Sequence, residues 1–319
     1  MFLCQNGLKI AATPLWLDAS RRVDTCVVSH AHLDHAKKHQ RILATDKTLR
    51  ILKKRIGKTR TIELDYRQPY TFDNCTVTLF PAGHILGSAQ VLVERDGVRL
   101  LYSGDFNLER SLTAESIEIP ESDILIMEST YGKPDYRFPP RQQVEQQLID
   151  FAQQALQQQT VPVVVGYVLG KSQEAMKILS DAGFELSVHG SVAALARIYE
   201  AFGVEFGRWQ PYKKDEVEGK VLIIPRIAIQ SRMVKSLPKK KIVFLSGWAV
   251  SPATRYRAAV DQALPLSDHA DFDGLVEYAR KVNAKKIYTT HGFKGFAKHL
   301  IQLGFDAEPL QETRQLSLF

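Results

Sequence analysis

The segment Ser29-His30-Ala31-His32-Leu33-Asp34-His35-Ala36 sets three imidazoles and one carboxylate within six residues. A single histidine in a core is usually structural. Four donors crowded this closely are an intermediate-to-hard ligand set that suits zinc, and they predict a metal site. Alternation along an extended chain puts His30 and His32 on one side and lets Asp34 and His35 turn toward a second position. His39, just beyond, breaks the pattern and is expected on the surface.

The segments around this cluster share a texture of short apolar strands that end in polar loops. DTCVVSH is a strand that delivers His30, and CTVTLFPAGH alternates before delivering His84. QVLVERDGVRLLYSGD reads as two alternating runs joined across Asp96-Gly97, a hairpin signal, and its second strand delivers Asp105. DILIMEST delivers Glu128, and KKIYTTHG near the end delivers His291. Polar groups at successive strand ends are how an α/β scaffold builds a site on rigid supports.

From about residue 133 the texture changes. RFPPRQQVEQQLIDFAQQALQQQ reads as an amphipathic helix with Val144, Leu148, Phe151 and Leu156 inward. VPVVVGYVLGKSQEAMKIL is strand, glycine turn and helix, ELSVHGSVAALARIYEAFG repeats that order, and VLIIPR and KIVFLSGW are further buried strands. Strands alternating with helices imply a parallel sheet. Near residue 267 the first texture returns, with His269 in a loop and Asp271 as a helix N-cap. The 319 residues allow about two domains. The net charge of +7 favours acidic partners. Cys4, Cys26 and Cys75 share no ligand-like spacing and read as reduced thiols. The longest apolar run, VPVVVGYVL, is too short to span a membrane, so a cytoplasmic protein is expected.

HAHLDH, followed by His84 and Asp105, resembles the metallo-β-lactamase family of metal-dependent hydrolases. The resemblance implies an αββα sandwich with two zinc ions, or manganese in their place. On that mapping His30, His32 and His84 hold one ion, Asp34 and His35 the other, and Asp105 bridges both; Asp18 orients the ligands. MESTYG at Glu128, SDHAD at His269 and THG at His291 resemble the extra motifs of the β-CASP nucleases. That group inserts an α/β domain into the lactamase fold. The implied boundaries are a discontinuous lactamase domain over 1–132 and 267–314, and a β-CASP domain over 133–266. YRFPPR, GKSQE, VHGSV, SGWA and LSDHADFDGL look most like the bacterial ligase-associated DNA exonucleases.

The expected activity is a nuclease in which a hydroxide shared by two zinc ions attacks the backbone phosphorus in line. Asp34, Glu128 and His269 are the expected catalytic residues, with His269 as general acid or phosphate donor, held by Glu128. His291 completes the second metal's shell. Lys171, beside Gly170 at a helix start, is expected to hold a phosphate. Arg255 and Arg257 form an expected backbone clamp, and Lys53, Lys54 and Arg55 lie in the densest basic stretch. An RNA-processing nuclease of the same group is the alternative. A thioesterase or lactonase leaves Glu128, His269, His291 and the inserted domain unexplained. The chain ends QLSLF, which resembles the peptide that docks bacterial repair proteins on the sliding clamp. Gln315 would make a polar contact, and Leu316, Leu318 and Phe319 would fill apolar pockets. That tail leans the expectation from RNA toward DNA. A DNA ligase and helicase of the same repair system are further expected partners.

Overall fold

The computed structural model describes residues 1–4 and 7–311, without the side chain of Arg255; the peptide 315–319 lies outside the described residues. The chain forms two compact units. One takes Met1–Arg110, Ala114–Asp135 and the residues from His269 on; the other takes Ser111–Thr113 and Tyr136–Asp268.

The first unit holds two sheets. Strands β1 (Phe2–Cys4), β2 (Leu8–Ile10), β3 (Leu15–Leu17), β4 (Thr25–Val27), β5 (Arg41–Ala44) and β6 (Arg60–Glu63) lie side by side in chain order. Pairing is antiparallel from β1 to β3 and parallel from β3 to β6. Helix α1 (Asp46–Ile56) links β5 to β6, and the Thr45 side chain caps it by accepting from the Thr48 N–H.

The second sheet runs β19 (Ala307–Pro309), β18 (Lys286–Gly292), β11 (Ile124–Ser129), β10 (Val98–Tyr102), β9 (Ala89–Arg95), β8 (Cys75–Pro81), β7 (Tyr70–Phe72). The Asp96-Gly97 turn between β9 and β10 has both residues at positive φ, 52° and 75°, the backbone a tight two-residue hairpin requires.

Alternation decides the layers. Val91, Val93, Leu100, Tyr102 and Ile126 face the first sheet and join Leu15, Leu17, Val27 and Leu43 in one core. Leu92, Leu101, Leu125 and Met127 face the other way, onto helices α7 (Phe272–Val282) and α8 (Phe296–Gln302). Each fully buried aliphatic side chain contributes roughly 1.5–3 kcal/mol. Asp271 caps α7, its carboxylate accepting from the Gly274 N–H at 2.8 Å. Helix, two sheets and helices make the expected αββα sandwich.

The second unit is one parallel sheet with order β14 (Trp209–Pro211), β13 (Leu186–Val188), β15 (Val221–Pro225), β12 (Val161–Gly166), β16 (Lys240–Leu245), β17 (Gln262–Leu264). Its helices are α2 (Arg141–Gln157), α3 (Lys171–Asp181), α4 (Gly190–Ala201), α5 (Arg232–Lys235) and α6 (Ala253–Ala258). Every residue of β12 and β15 is buried, as expected of a sheet covered on both faces. Arg141 pairs with the buried Glu174, whose carboxylate also accepts from Ser111 Oγ, Leu112 N–H and Thr113 Oγ1. These bonds tie residues 111–113 to the second unit.

Candidate metal centre

His30, His32, His35, His84, Asp105, Glu128, His269 and His291 all belong to the first unit. His30, His32 and His35 lie on the loop after β4, His84 follows β8, and Asp105 follows β10. Glu128 and His291 sit at the ends of β11 and β18, and His269 precedes α7. One donor atom from each of His30, His32, His84 and Asp105 lies within 4.8 Å of the others. Asp105 Oδ2 is the focus: His35 Nε2 is 3.3 Å away, His30 Nε2 3.4 Å, His84 Nε2 3.9 Å and His269 Nε2 4.0 Å. His32 Nδ1 and His84 Nε2 are 3.1 Å apart. The His291 ring lies 4.7 Å from that of His35.

The donor set fits a divalent cation. His30 is fully buried, and its Nε2 makes no hydrogen bond although it faces the cluster. Burial and the neighbouring imidazoles hold its pKa well below the ordinary value, so it offers a lone pair. Burial opposes ionisation of Asp105, yet His35, His269, His84 and His291 hold its carboxyl well below the usual range. Burial also opposes the charged form of His35, but Asp105 and Asp18 outweigh it and raise its pKa to about 10. Imidazoles around a carboxylate, with His35 giving up its extra proton when a cation binds, are a ligand set for zinc or a neighbouring transition metal.

The supports are local. Asp18 takes the left-handed backbone (φ 41°) and accepts from Ser29 N–H at 2.7 Å, Ser29 Oγ at 2.5 Å, His35 Nδ1 at 2.8 Å and Tyr102 OH at 3.1 Å. Ser29 Oγ is also 2.9 Å from His30 Nδ1. Gly104, before Asp105, sits at φ 55°, and a Cβ there would lie 2.8 Å from the Ser29 side chain. Glu128 holds His269, with both carboxylate oxygens 3.0 Å from Nδ1, and it also accepts from Phe106 N–H and Thr130 Oγ1.

Several expected residues fall elsewhere. Asp34 is exposed and, among the described residues, outside every group of convergent donors; it acts on His35 through charge. Strand β4 ends at Val27, so no alternation reaches Asp34; the His35 N–H turns back to the His32 carbonyl at 3.3 Å. His39 is 1 % exposed, not a surface residue, and its Nδ1 accepts from the Val23 N–H. Lys53 and Lys54 are exposed on α1, but Arg55 is half-buried and donates to the Ala31 carbonyl at 2.9 Å. Its guanidinium thus holds the backbone between His30 and His32, where a contact with nucleic acid was expected. In the second unit Lys171 is ion-paired with Asp268, and Arg257 is exposed. The supporting roles of Ser29, Tyr102 and Arg55 carried no distinct sequence signal beyond the inward alternation of Leu100 and Tyr102.

Among protein families, residues 4–188 match the Beta-lactamase superfamily domain. The chain is 37% identical over 318 residues to a protein of Opitutus terrae named Probable DNA ligase, covering 98% of this chain and 31% of that protein. It is 25% identical over 329 residues to DNA cross-link repair protein SNM1 of Arabidopsis thaliana, covering 90% of this chain and 66% of the relative. It is 30% identical over 212 residues to Endoribonuclease YSH1 of Gibberella zeae, covering 54% and 25%. The chain thus spans under a third of the Opitutus protein. No helix among the described residues is long and apolar enough to cross a membrane.

Proposed function

The chain belongs to the beta-lactamase superfamily of metal-dependent hydrolases, and from that premise we propose that it is a cytoplasmic DNA exonuclease with two zinc ions at the His/Asp cluster. The observation that carries the nuclease assignment is the Glu128–His269 pair set against the cluster. A phosphodiester needs a donor for its developing charge or its leaving oxygen, and the relatives named for DNA cross-link repair and RNA cleavage favour that substrate over an acyl one.

When bound, two divalent cations activate a water near neutral pH and bind phosphate oxygens. His30, His32 and His84 would hold one cation, and His35, Asp34 and His291 the other, with Asp105 between them. Asp18 fixes the proton of His35 on Nδ1 and leaves Nε2 toward Asp105. Glu128 does the same for His269 and favours its charged form, so Nε2 carries a proton toward the substrate. The second unit, taken as the inserted 133–266 domain, would bind the polynucleotide with Lys171, Arg255 and Arg257. Lys53 and Lys54 would add phosphate contacts from α1.

Support for DNA comes from the two relatives matched over most of this chain, one named a ligase and one a cross-link repair protein. An RNA-processing activity is the second reading, favoured by the endoribonuclease that matches about half the chain. The test offers end-labelled DNA and RNA of one sequence to the purified chain with zinc or manganese, with Asp105→Asn as control. Stepwise loss of DNA termini, abolished by Asp105→Asn, is expected; preferential RNA cleavage refutes the DNA assignment. QLSLF is proposed to dock on a sliding clamp, and a ligase and helicase to share the pathway. Deleting residues 315–319 should abolish clamp capture and leave cleavage of naked DNA unchanged.

A further inference from the structure

The sheet of the second unit has a topological switch point. The connection leaving β12 passes through α3 to β13 on one side, and the connection leaving β16 passes through α6 to β17 on the other. Strands β12 and β16 are neighbours, with Val165 opposite Phe244. In open α/β sheets, ligands bind outside the carboxyl ends of the strands where connections diverge in this way.

Two large aromatic side chains occupy that edge and remain open to solvent. Tyr167, the first residue after β12, is 43% exposed, and Trp248, three residues after β16, is 44% exposed. Both are held by their backbones. The Tyr167 carbonyl accepts from the Ser172 N–H at 3.1 Å and the Ser172 hydroxyl at 2.8 Å. The Trp248 carbonyl accepts from the Ser251 N–H at 3.1 Å and the Thr254 hydroxyl at 2.5 Å. Tyr136 meets the Trp248 ring edge-on, with centroids 4.9 Å apart at 88°.

Charge selects the occupant. The stretches that follow the three central strands (166–171, 226–236 and 246–258) contain no Asp or Glu. They present Arg226, Arg232, Lys235 and Arg257 to solvent. The connection at 212–220 instead mixes Asp215, Glu216 and Glu218 with its lysines. Exposed rings beside stretches that carry cations and no carboxylate of their own, with Lys171 neutralised by Asp268, suit a polyanion that carries unpaired aromatic faces.

We infer that Tyr167 and Trp248 form a stacking platform for unpaired bases of single-stranded DNA, with the surrounding arginines on its phosphates. The platform deepens the nuclease assignment and rests on it for the choice of DNA. The test uses the full chain and a labelled, cleavage-resistant phosphorothioate dT 12-mer, followed by fluorescence anisotropy. Trp248→Ala and Tyr167→Ala should each weaken single-strand binding about 5- to 100-fold. Trp248→Phe and Tyr167→Phe should stay within about threefold of wild type, because a ring persists. Blunt duplex binding should be unchanged, and melting temperatures should show that all variants fold. Wild-type affinity in both alanine variants overturns the platform, as does an equal loss on duplex or tighter binding of an RNA 12-mer. Cleavage of an ordinary labelled DNA by wild type is scored separately. If wild type cleaves but the alanine variants bind normally, the platform alone fails. If wild type binds through the rings but cleaves no nucleic acid, the nuclease assignment alone fails.

Discussion

Replacing Asp18 by Asn exchanges one carboxylate oxygen for an amide nitrogen and leaves the backbone able to keep its φ of 41°, since Asn tolerates that conformation. Oδ1 can still accept the Ser29 N–H. The amide nitrogen then replaces Oδ2, where Ser29 Oγ, Tyr102 OH and His35 Nδ1 converge. The two hydroxyls can rotate to accept from it; the Nδ1–H of the charged imidazole cannot, so His35 loses the support that Asp18 gives its charged form and keeps that of Asp105 at Nε2. The ordinary pKa of 6.5 rises to about 10 in the folded chain, with Asp105 the larger favourable cause and Asp18 the next. That interval is worth about 5 kcal/mol, of which we assign about 2 kcal/mol to Asp18. A folded pKa above the unfolded one stabilises fully below the unfolded value and is lost as pH rises through the folded value. In EDTA, Asp18→Asn should thus cost about 2 kcal/mol near pH 6 and almost nothing above about pH 10, read by urea unfolding. Zinc titration should show the affinity at the His35 position lowered about 10- to 100-fold. Equal costs at both pH values, or unchanged affinity at both positions, would refute the reasoning.

Gly292 follows His291 at φ 151°, and a Cβ there would lie 2.1 Å from Ser129 C and O. Gly292→Ala should therefore cost at least about 3 kcal/mol in denaturant and weaken metal binding at His291; a melting temperature like wild type would contradict this. Burial, the largest cause, pushes the pKa of His39 down to about 4, so its contribution is present above pH 6.5 and lost as pH falls toward 4. Wild type should lose about 3 kcal/mol more than His39→Asn between those values, because Asn Oδ1 can still accept the Val23 N–H without titrating. Glu128→Gln should lower cleavage by about 100-fold with metal content unchanged, since one amide oxygen cannot serve His269, Phe106 N–H and Thr130 together. Metal loss, or full activity, would assign Glu128 another role.

Local spacing made much of the centre legible. The donors of the His30–His35 segment lie within one loop, and His84, Asp105, Glu128 and His291 each follow a strand with readable alternation. Val91 and Val93 against Leu92 is that alternation in its simplest form. Three-residue strands such as β1, β2 and β3 are too short to show a period, so most of the first sheet carried no signal. Alternation could not place Asp34, because it ends at Val27 and the loop beyond follows its own hydrogen bonds. Arg55 looked like its lysine neighbours, because charge periodicity cannot reveal a carbonyl 24 residues away. The burial of His39 depends on contact with Val23, again across a loop.

The same device occurs twice around Asp105. Asp18 grips His35 Nδ1 at 2.8 Å, and Glu128 grips His269 Nδ1 at 3.0 Å. In both cases Nε2 is thereby aimed at Asp105 Oδ2, at 3.3 Å and 4.0 Å. What separates the two imidazoles is access. The His35 side chain is 2% exposed and that of His269 15%. A buried imidazole can give up its Nε2 proton only to a competing cation, so His35 is suited to be a ligand. An imidazole open to solvent can exchange that proton with water or a substrate oxygen, which suits His269 to proton donation. The carboxylate–imidazole pair is common to both positions, and depth in the sandwich sets the chemistry each one supports.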